Sequence, residues 1–539
     1  SPNARIMVAQ PRRIAAHSLF TRARTVGSFP DEVGLRMGHG VRDEGPRTRL
    51  WYVTTGYLVR YVSTGIRRGN LNGLTHLVVD ECHERSTETE LLCLLARRLL
   101  ARLPHLRVVL MSATLDEALY MPYFRSAVGP TGVAPSLFVG ARRFPVTEYC
   151  LEDIFSLDAL PNSIVKAAGR LQQACDKLCA VDCDSDDSDS TEEEDTAPLP
   201  LPSALVTVQL ELALWITRLA PQRRDGNGGV AVLIFVAGMA EIEELAEALA
   251  DKENYIFCPI HSELPFDETL EAFEPAPAGK TKVVVATNAA ESSVTIPDVD
   301  LVIDLGAIKR LQYDSTRQSA CLCREWTSRA AAQQRAGRTG RVRPGEVWRL
   351  YPRAFMERHL RPQEPSQIKR QPLENTILAI RAAVDQEQSI MSLMGELLEP
   401  PSEVNVYAAL ERLATMGMLQ INRGEGVGGH ADGNHPDGLH TLESAPLSAL
   451  GRLASALPLD ARLSRMVGLG VQLGCTAEAI VLAVACGLPR SPFRIISPLI
   501  HKDADAYNEL VREGFLGRLH FDRGMYSEPL SILSLLGEL

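Results

Sequence analysis

The 539 residues predict an α/β protein, with two domains built on parallel sheets followed by a C-terminal part that is mainly helical. Three observations carry that reading. Fully apolar runs such as Ile6-Met7-Val8-Ala9 and Val230-Ala231-Val232-Leu233-Ile234-Phe235-Val236 have the length and continuity of strands buried on both faces. Segments with helical spacing separate such runs, the alternation that produces crossover connections. Beyond residue 367 amphipathic helical patterns take over.

Composition bounds the rest. An apolar fraction of 45% and a charged fraction of 23% allow large cores, and the length suits three or four domains. The net charge of −11 excludes a chain that is basic throughout. Nine of the acidic residues fall within 182–195, where no Lys or Arg occurs, and the remainder balances at −2. Any nucleic-acid surface must therefore be a local basic stripe. The eleven cysteines are scattered without paired zinc-like spacing, which fits a reduced intracellular compartment, nucleus or cytoplasm. No apolar run approaches the ~18 residues of a membrane span, so no membrane partner is expected. Ala477 to Leu488, the most apolar stretch, reads as a buried helix. Ser1 is not an initiator Met, and no signal peptide is visible.

The opening strand ends at Gln10-Pro11-Arg12-Arg13, and a helical pattern runs from Ile14 to Val26. Arginines at a strand-to-helix junction can pair with phosphates or cap a neighbouring carboxylate. Trp51 to Arg60 reads as strand, turn and helix start, with Thr54, Thr55 and Gly56 at the turn. Thr hydroxyls there suit sugar-phosphate contact or a helix N-cap, and the two roles are compatible. Thr75 to Val79 ends a third strand and runs into Asp80-Glu81-Cys82-His83-Glu84-Arg85. A strand ending in Asp-Glu can place one carboxylate to hold hydrated Mg²⁺ and the next to orient a water against a phosphate. Taken alone, the same residues read as a charged, solvated turn. An amphipathic helix, Thr89 to Arg102, leads to a strand and Ser112-Ala113-Thr114.

Helical spacing returns from Ser163 to Leu178. The acidic run 182–195 that follows cannot repay ordering entropy and is expected to be a disordered insertion. Cys175, Cys179 and Cys183 align at four-residue spacing, but without a fourth ligand zinc is not favoured. The second sheet is expected from Val206 onward. Gly279-Lys280-Thr281 is not a phosphate loop, because position 274 is Glu and a strand, not a helix, follows. Leu305 to Arg329 should form a β-hairpin. Gln334 to Arg341 places Arg335, Arg338 and Arg341 at three-residue spacing from the start of a helix, with Arg338 and Arg341 on one face.

Taken together, Gln10-Pro11-Arg12-Arg13, Thr54-Thr55-Gly56, Asp80-Glu81-Cys82-His83, Ser112-Ala113-Thr114, Ala286 to Ile296 and Gln334-Arg335-Ala336-Gly337-Arg338-Thr339-Gly340-Arg341 resemble the motifs of the DEAH-box/RHA group of superfamily 2 RNA helicases. The likeness runs from residue 4 to about 520. It implies two RecA-like domains, 1–145 and 204–366, joined by a linker with the acidic insertion at 146–203. A winged helix at 367–443 and a helical bundle, or ratchet, at 444–539 would follow, and a small β-barrel usually comes next in such proteins.

The resemblance further implies ATP and Mg²⁺ as cofactors and RNA, single-stranded or duplex, as partner. The enzyme would be a monomer moving 3′ to 5′, open to an activating protein. Asp80 and Glu81 would hold the metal, and Glu81, Gln334, Arg338, Arg341 and His83 would serve hydrolysis. Arg22 and Phe273 would sandwich adenine, with Ser292 and Asp298 near the nucleotide. Arg12, Arg13, Thr54, Thr55, Gly56, Thr287 and Asn288 would touch nucleic acid, and the hairpin's Lys309, Arg310, Arg317 and Arg324 would support it. The family's Gly-x-x-x-x-Gly-Lys-Thr loop belongs upstream of Ala4, so the polypeptide as given is expected to bind ATP poorly and not to hydrolyse it. An ATPase-inactive RNA-binding scaffold and a DNA-directed helicase are the alternatives.

Overall fold

The computed structural model describes residues 4–538 apart from 39, 72, 115–116, 129–134, 141–143, 158–159, 184–198, 224–228, 252, 262–263, 265, 292–295, 297, 315–318, 385–387, 422–441, 489–490 and 494–503. The first sheet is built from β1 (Ile6–Gln10), β2 (Val33–Arg36), β3 (Arg42–Asp43), β4 (Leu50–Thr54), β5 (His76–Val79) and β6 (Arg107–Leu110), in the order β3-β2-β4-β1-β5-β6. Every pairing is parallel except β2 with β3. Helices α1 (Arg13–Val26), α2 (Thr55–Arg68) and α3 (Thr87–Arg102) make its crossovers. Ser86 caps α3, its hydroxyl accepting from the Thr89 amide at 3.2 Å.

The second sheet comprises β7 (Val146–Tyr149), β8 (Val230–Phe235), β9 (Tyr255–Ile260), β10 (Thr281–Ala286), β11 (Leu301–Asp304) and the later strand Gly345–Arg349. With β12 (Ala307–Asp314) and β13 (Ser319–Trp326) forming a separate antiparallel hairpin, Gly345–Arg349 becomes β14, and the sheet order is β7-β14-β11-β8-β10-β9. All of its pairings are parallel. Every residue of β8 and β10 is buried, as expected of central strands, and in β10 this includes Lys282 beside the apolar run 283–286. Between these sheets the sequence suggests a linker, yet residues 146–149 pair with β14 as an edge strand. The helix Asn162–Cys183 packs its Ile164, Ala168 and Leu171 into the second core. The acidic run from 184 onward and the His-rich stretch 424–440 lie outside the described residues.

Past residue 367 the chain is helical. Ile377, Leu410, Met418 and Leu447 share one hydrophobic core with Leu77, Leu92 and Leu95 of the first domain. The second sheet has its own cores on either face. The C-terminal helices are thus fused to the first domain by burial of apolar surface. After the helix Glu403–Thr415, strand pairing among the described residues is limited to one bridge between Leu419 and Leu447. Among the described residues, no helix is long and apolar enough to cross a membrane.

Candidate functional site

Parallel order places the motifs side by side. Gln10 at the end of β1 stands in register with Thr54 at the end of β4, and Ala9 with Val79, the last residue of β5. Val79 in turn stands opposite Leu110 of β6. The segments 10–13, 54–56, 80–84 and 112–114 therefore all leave the same carboxyl edge, where open parallel sheets bind their ligands.

At that edge the Gln10 amide donates to Asp80 Oδ2 at 2.6 Å, and the Glu81 amide donates to Asp80 Oδ1 at 2.9 Å. Gln10, whose role the sequence left unassigned, is the buried residue that fixes the Asp80 carboxylate. Glu81 adopts a left-handed backbone, φ 53°, a conformation that costs a non-glycine residue and that concentrates at functional turns. Burial, with the neighbouring charges of Asp80 and Glu84, pushes the Glu81 carboxyl up to about 7. His83 Nδ1 lies 3.4 Å from Glu81 Oε2 and 3.3 Å from Ser112 Oγ. Burial holds its imidazole below the usual range. Arg12 pairs with Glu84 at 3.3 Å.

The second sheet supplies the facing wall. Thr287 is buried at the end of β10 and Asn288 is exposed beside it. Helix α8 (Arg329–Ala336), capped by Ser328, carries Gln334, whose amide donates to Thr114 Oγ1 of the opposite domain at 3.3 Å. Arg338 follows α8. Its charge favours ionisation of Glu81, and Glu81 in return favours the charged form of Arg338. Burial and the like charge of Arg341 nevertheless bring the Arg338 guanidinium down to about 10. Arg341 bonds the Gly337 carbonyl at 3.2 Å through Nε. A cavity of about 280 Å³ between the walls is lined by Arg12, His83, Thr114, Asn288, Glu291 and Gln334, among others.

Several residues singled out by sequence do other work. Arg335 is fully buried, bonded to Asp304 Oδ1 at 2.7 Å and to Glu291 Oε2 at 3.2 Å. It ties α8 to the sheet. Asp298 accepts from the Lys282 ammonium at 2.6 Å and from the Ala276 amide at 2.8 Å, so both its oxygens bind its own domain. Two hairpin arginines are also internal. Arg310 joins Glu325 at 2.7 Å and pairs with Glu364, while Arg324 holds Glu241 at 2.6 Å. Arg13 and Arg22 are exposed on α1, and Phe273 is half-buried at the end of the turn Phe266–Phe273. Thr54 is the N-cap of α2 without a side-chain cap bond, and the buried Thr55 hydroxyl has no hydrogen-bond partner. Gly56 follows in the first turn of α2. Ser292 and Arg317 lie outside the described residues.

The sequence profile of the helicase conserved C-terminal domain matches residues 215–343. Over 517 residues the chain is 32% identical to the DExH-box ATP-dependent RNA helicase DExH1 of Arabidopsis thaliana, covering 92% of this chain and 48% of that protein. It is 30% identical over 536 residues to the ATP-dependent RNA helicase dhx29 of Xenopus laevis, covering 92% of this chain and 36% of that protein. The crystal structure of the Escherichia coli DEAH/RHA helicase HrpB matches with a TM-score of 0.66 at 25% identity, over 95% of this chain and 54% of that one. Along nearly its whole length the chain is similar to DEAH/RHA helicases. The chain spans less than half the length of those two curated relatives. In it, the two motif-bearing edges of the family fold face each other across the cavity.

Proposed function

We propose that this chain is the motor portion of an ATP-dependent RNA helicase that couples phosphate hydrolysis to 3′-to-5′ movement on RNA. The observation that carries the reading is the meeting of Asp80 and Glu81 from one sheet with Gln334 and Arg338 from the other. Hard carboxylate oxygens held side by side, one of them ionising only with difficulty, suit a divalent cation. Among the described residues no cluster of three metal-ligating side chains occurs, so Asp80 and Glu81 would hold Mg²⁺ together with substrate oxygens. When bound, Mg²⁺ neutralises charge on the phosphates.

The protein groups do the rest. Glu81 orients a water and receives its proton, a role for which a carboxyl near 7 is well matched. Gln334 shares the positioning of that water, and Arg338, with Arg341 beside it, stabilises charge developing on the terminal phosphate. His83 and Ser112 connect Glu81 to the segment that meets Gln334. Arg12, Arg13, Thr54, Thr55, Gly56, Thr287 and Asn288 are the candidates for backbone contact with RNA, and Arg22 and Phe273 for the adenine.

The test is phosphate release by the full-length protein that contains this chain, with and without RNA. RNA-stimulated release that is abolished by Glu81→Gln supports the helicase. RNA binding without any nucleotide turnover would indicate a scaffold instead, and stronger stimulation by DNA duplexes would redirect the substrate assignment.

A further inference from the structure

The carboxylate turn and the β12-β13 hairpin belong to different domains, yet one short segment is bonded to both. It is Glu364–Gln371, which links the second domain to the C-terminal helices. Its central turn, Gln367–Lys369, buries Ile368 and is closed by bonds from the Lys369 amide to the Ser366 carbonyl at 3.2 Å and from the Arg370 amide to the Gln367 carbonyl at 3.1 Å.

Through Ser366 and Gln367 the segment grips the residues that follow Glu81. The Gln367 amide donates to the Arg85 carbonyl at 3.0 Å, the Thr87 amide to Gln367 Oε1 at 3.1 Å, and the Ser366 hydroxyl to Glu90 Oε1 at 3.0 Å. Arg85 is itself unusual. It is 5% exposed, has a left-handed backbone with φ 51°, and sends its guanidinium to Glu399 of the C-terminal part and to Glu90 at 3.7 Å. Through its first residue, Glu364, and through Arg370 near its last, the segment grips the hairpin. The Tyr313 amide donates to the Arg370 carbonyl at 3.1 Å, Arg370 Nη1 to the Leu311 carbonyl at 3.4 Å, and Glu364 pairs with Arg310.

We propose that Glu364–Gln371 is a coupling strut bonded to the end of the hydrolytic turn, and that the Arg85–Glu399 pair is the latch that holds that end of the turn against the C-terminal part. Buried charges and a strained non-glycine backbone are a costly way to make a merely structural join, where apolar packing would serve. They suit a contact that changes when the neighbouring turn changes. Movement at Glu81 would shift Arg85, and the short closed turn would pass the shift to β12 without passing through the body of either sheet. Coupling of this kind requires an element that both sites bias, and this segment is in bonding contact with both.

The inference rests on the helicase reading, and the experiment separates the two. In the full-length protein, phosphate release with and without saturating RNA, RNA affinity and Tm are measured for wild type, Glu399→Gln, Arg370→Ala and the double variant. Glu399→Gln should leave unstimulated release within about twofold of wild type and RNA affinity intact, while RNA stimulation falls about tenfold. Arg370→Ala should lower stimulation from the hairpin end, and the double variant should be no worse than the poorer single one, as expected for two parts of one path. Stimulation retained in both single variants overturns the strut. A loss of stimulated and unstimulated release in equal proportion, tracking a fall in Tm, overturns it as well. A wild type that RNA does not stimulate removes the helicase reading, and the strut with it.

Discussion

Gln334 of α8 donates a hydrogen bond to the hydroxyl of Thr114, 220 residues earlier in the chain and on the opposite domain, at 3.3 Å. Thr114 in turn bonds Ser112 Oγ through its amide at 3.2 Å, and Ser112 reaches His83. The contact therefore joins the closing of the two domains to the ring that flanks Glu81. Gln334→Ala should reduce RNA-stimulated phosphate release by ~10²-fold or more if, as proposed, Gln334 also helps to position the reacting water. Thr114→Val, which removes only the cross-domain bond, should cost less. Equal losses in the two variants would show that the contact alone matters.

Arg335 and Arg338 are three residues apart and should behave oppositely. Arg335 has no exposed surface and neutralises Asp304 and Glu291 inside the fold. Arg335→Ala leaves those carboxylates buried without their partner and should lower unfolding free energy by roughly 3–5 kcal/mol. Arg338→Ala should leave the denaturation midpoint nearly unchanged while hydrolysis falls by ~10³-fold, the scale of an arginine finger. Chemical denaturation and phosphate release on the same preparations distinguish them.

The two sheets were legible because each central strand is a continuous apolar run and each motif sits where such a run stops. Nothing of that kind separates Arg335 from Arg338 in the sequence, since spacing sets the face of a helix but not which face is covered by a sheet. The same limit explains Asp298, whose partner Lys282 belongs to a strand that reads as ordinary and apolar. Arg310 and Arg324 look like a basic surface because Glu364 and Glu241, which with Glu325 of the same hairpin hold them inside, are far away in sequence. The edge strand 146–149 reads as linker because four residues carry too little periodicity to reveal the neighbour they pair with.

Gly340 closes the arginine-bearing motif against β7. Its φ is +72°, and a β-carbon there would stand 2.4 Å from Val146 Cγ2. Gly340→Ala combines left-handed strain with a steric overlap and should destabilise the protein by roughly 2–4 kcal/mol. It should also lower hydrolysis through displaced Arg338 and Arg341. Substitution at Gly279, equally left-handed but in open space, should cost only the backbone strain. Comparing the two denaturation midpoints isolates the contact with β7.

Glu90 gives a pH dependence of stability whose sign follows from its surroundings. The side chain is 1% exposed and faces Arg85, Ser366 and Glu399. Burial, the largest influence, outweighs the attraction of Arg85 and the Ser366 hydroxyl and pushes the carboxyl from its ordinary 4.5 up to about 7. The folded protein therefore holds a proton that the unfolded chain has released between those values. Stability from this group is fully present below about 4.5 and is lost as pH rises through about 7. Glu90→Gln keeps the carbonyl that accepts from Ser366 but cannot ionise. Wild type should lose stability relative to this variant across that window, by up to roughly 3 kcal/mol at 1.36 kcal/mol per pKa unit. Parallel denaturation profiles for the two proteins from pH 5 to 8 would mean that Glu90 remains ionised throughout, with Arg85 as a strong enough counter-charge to overcome burial.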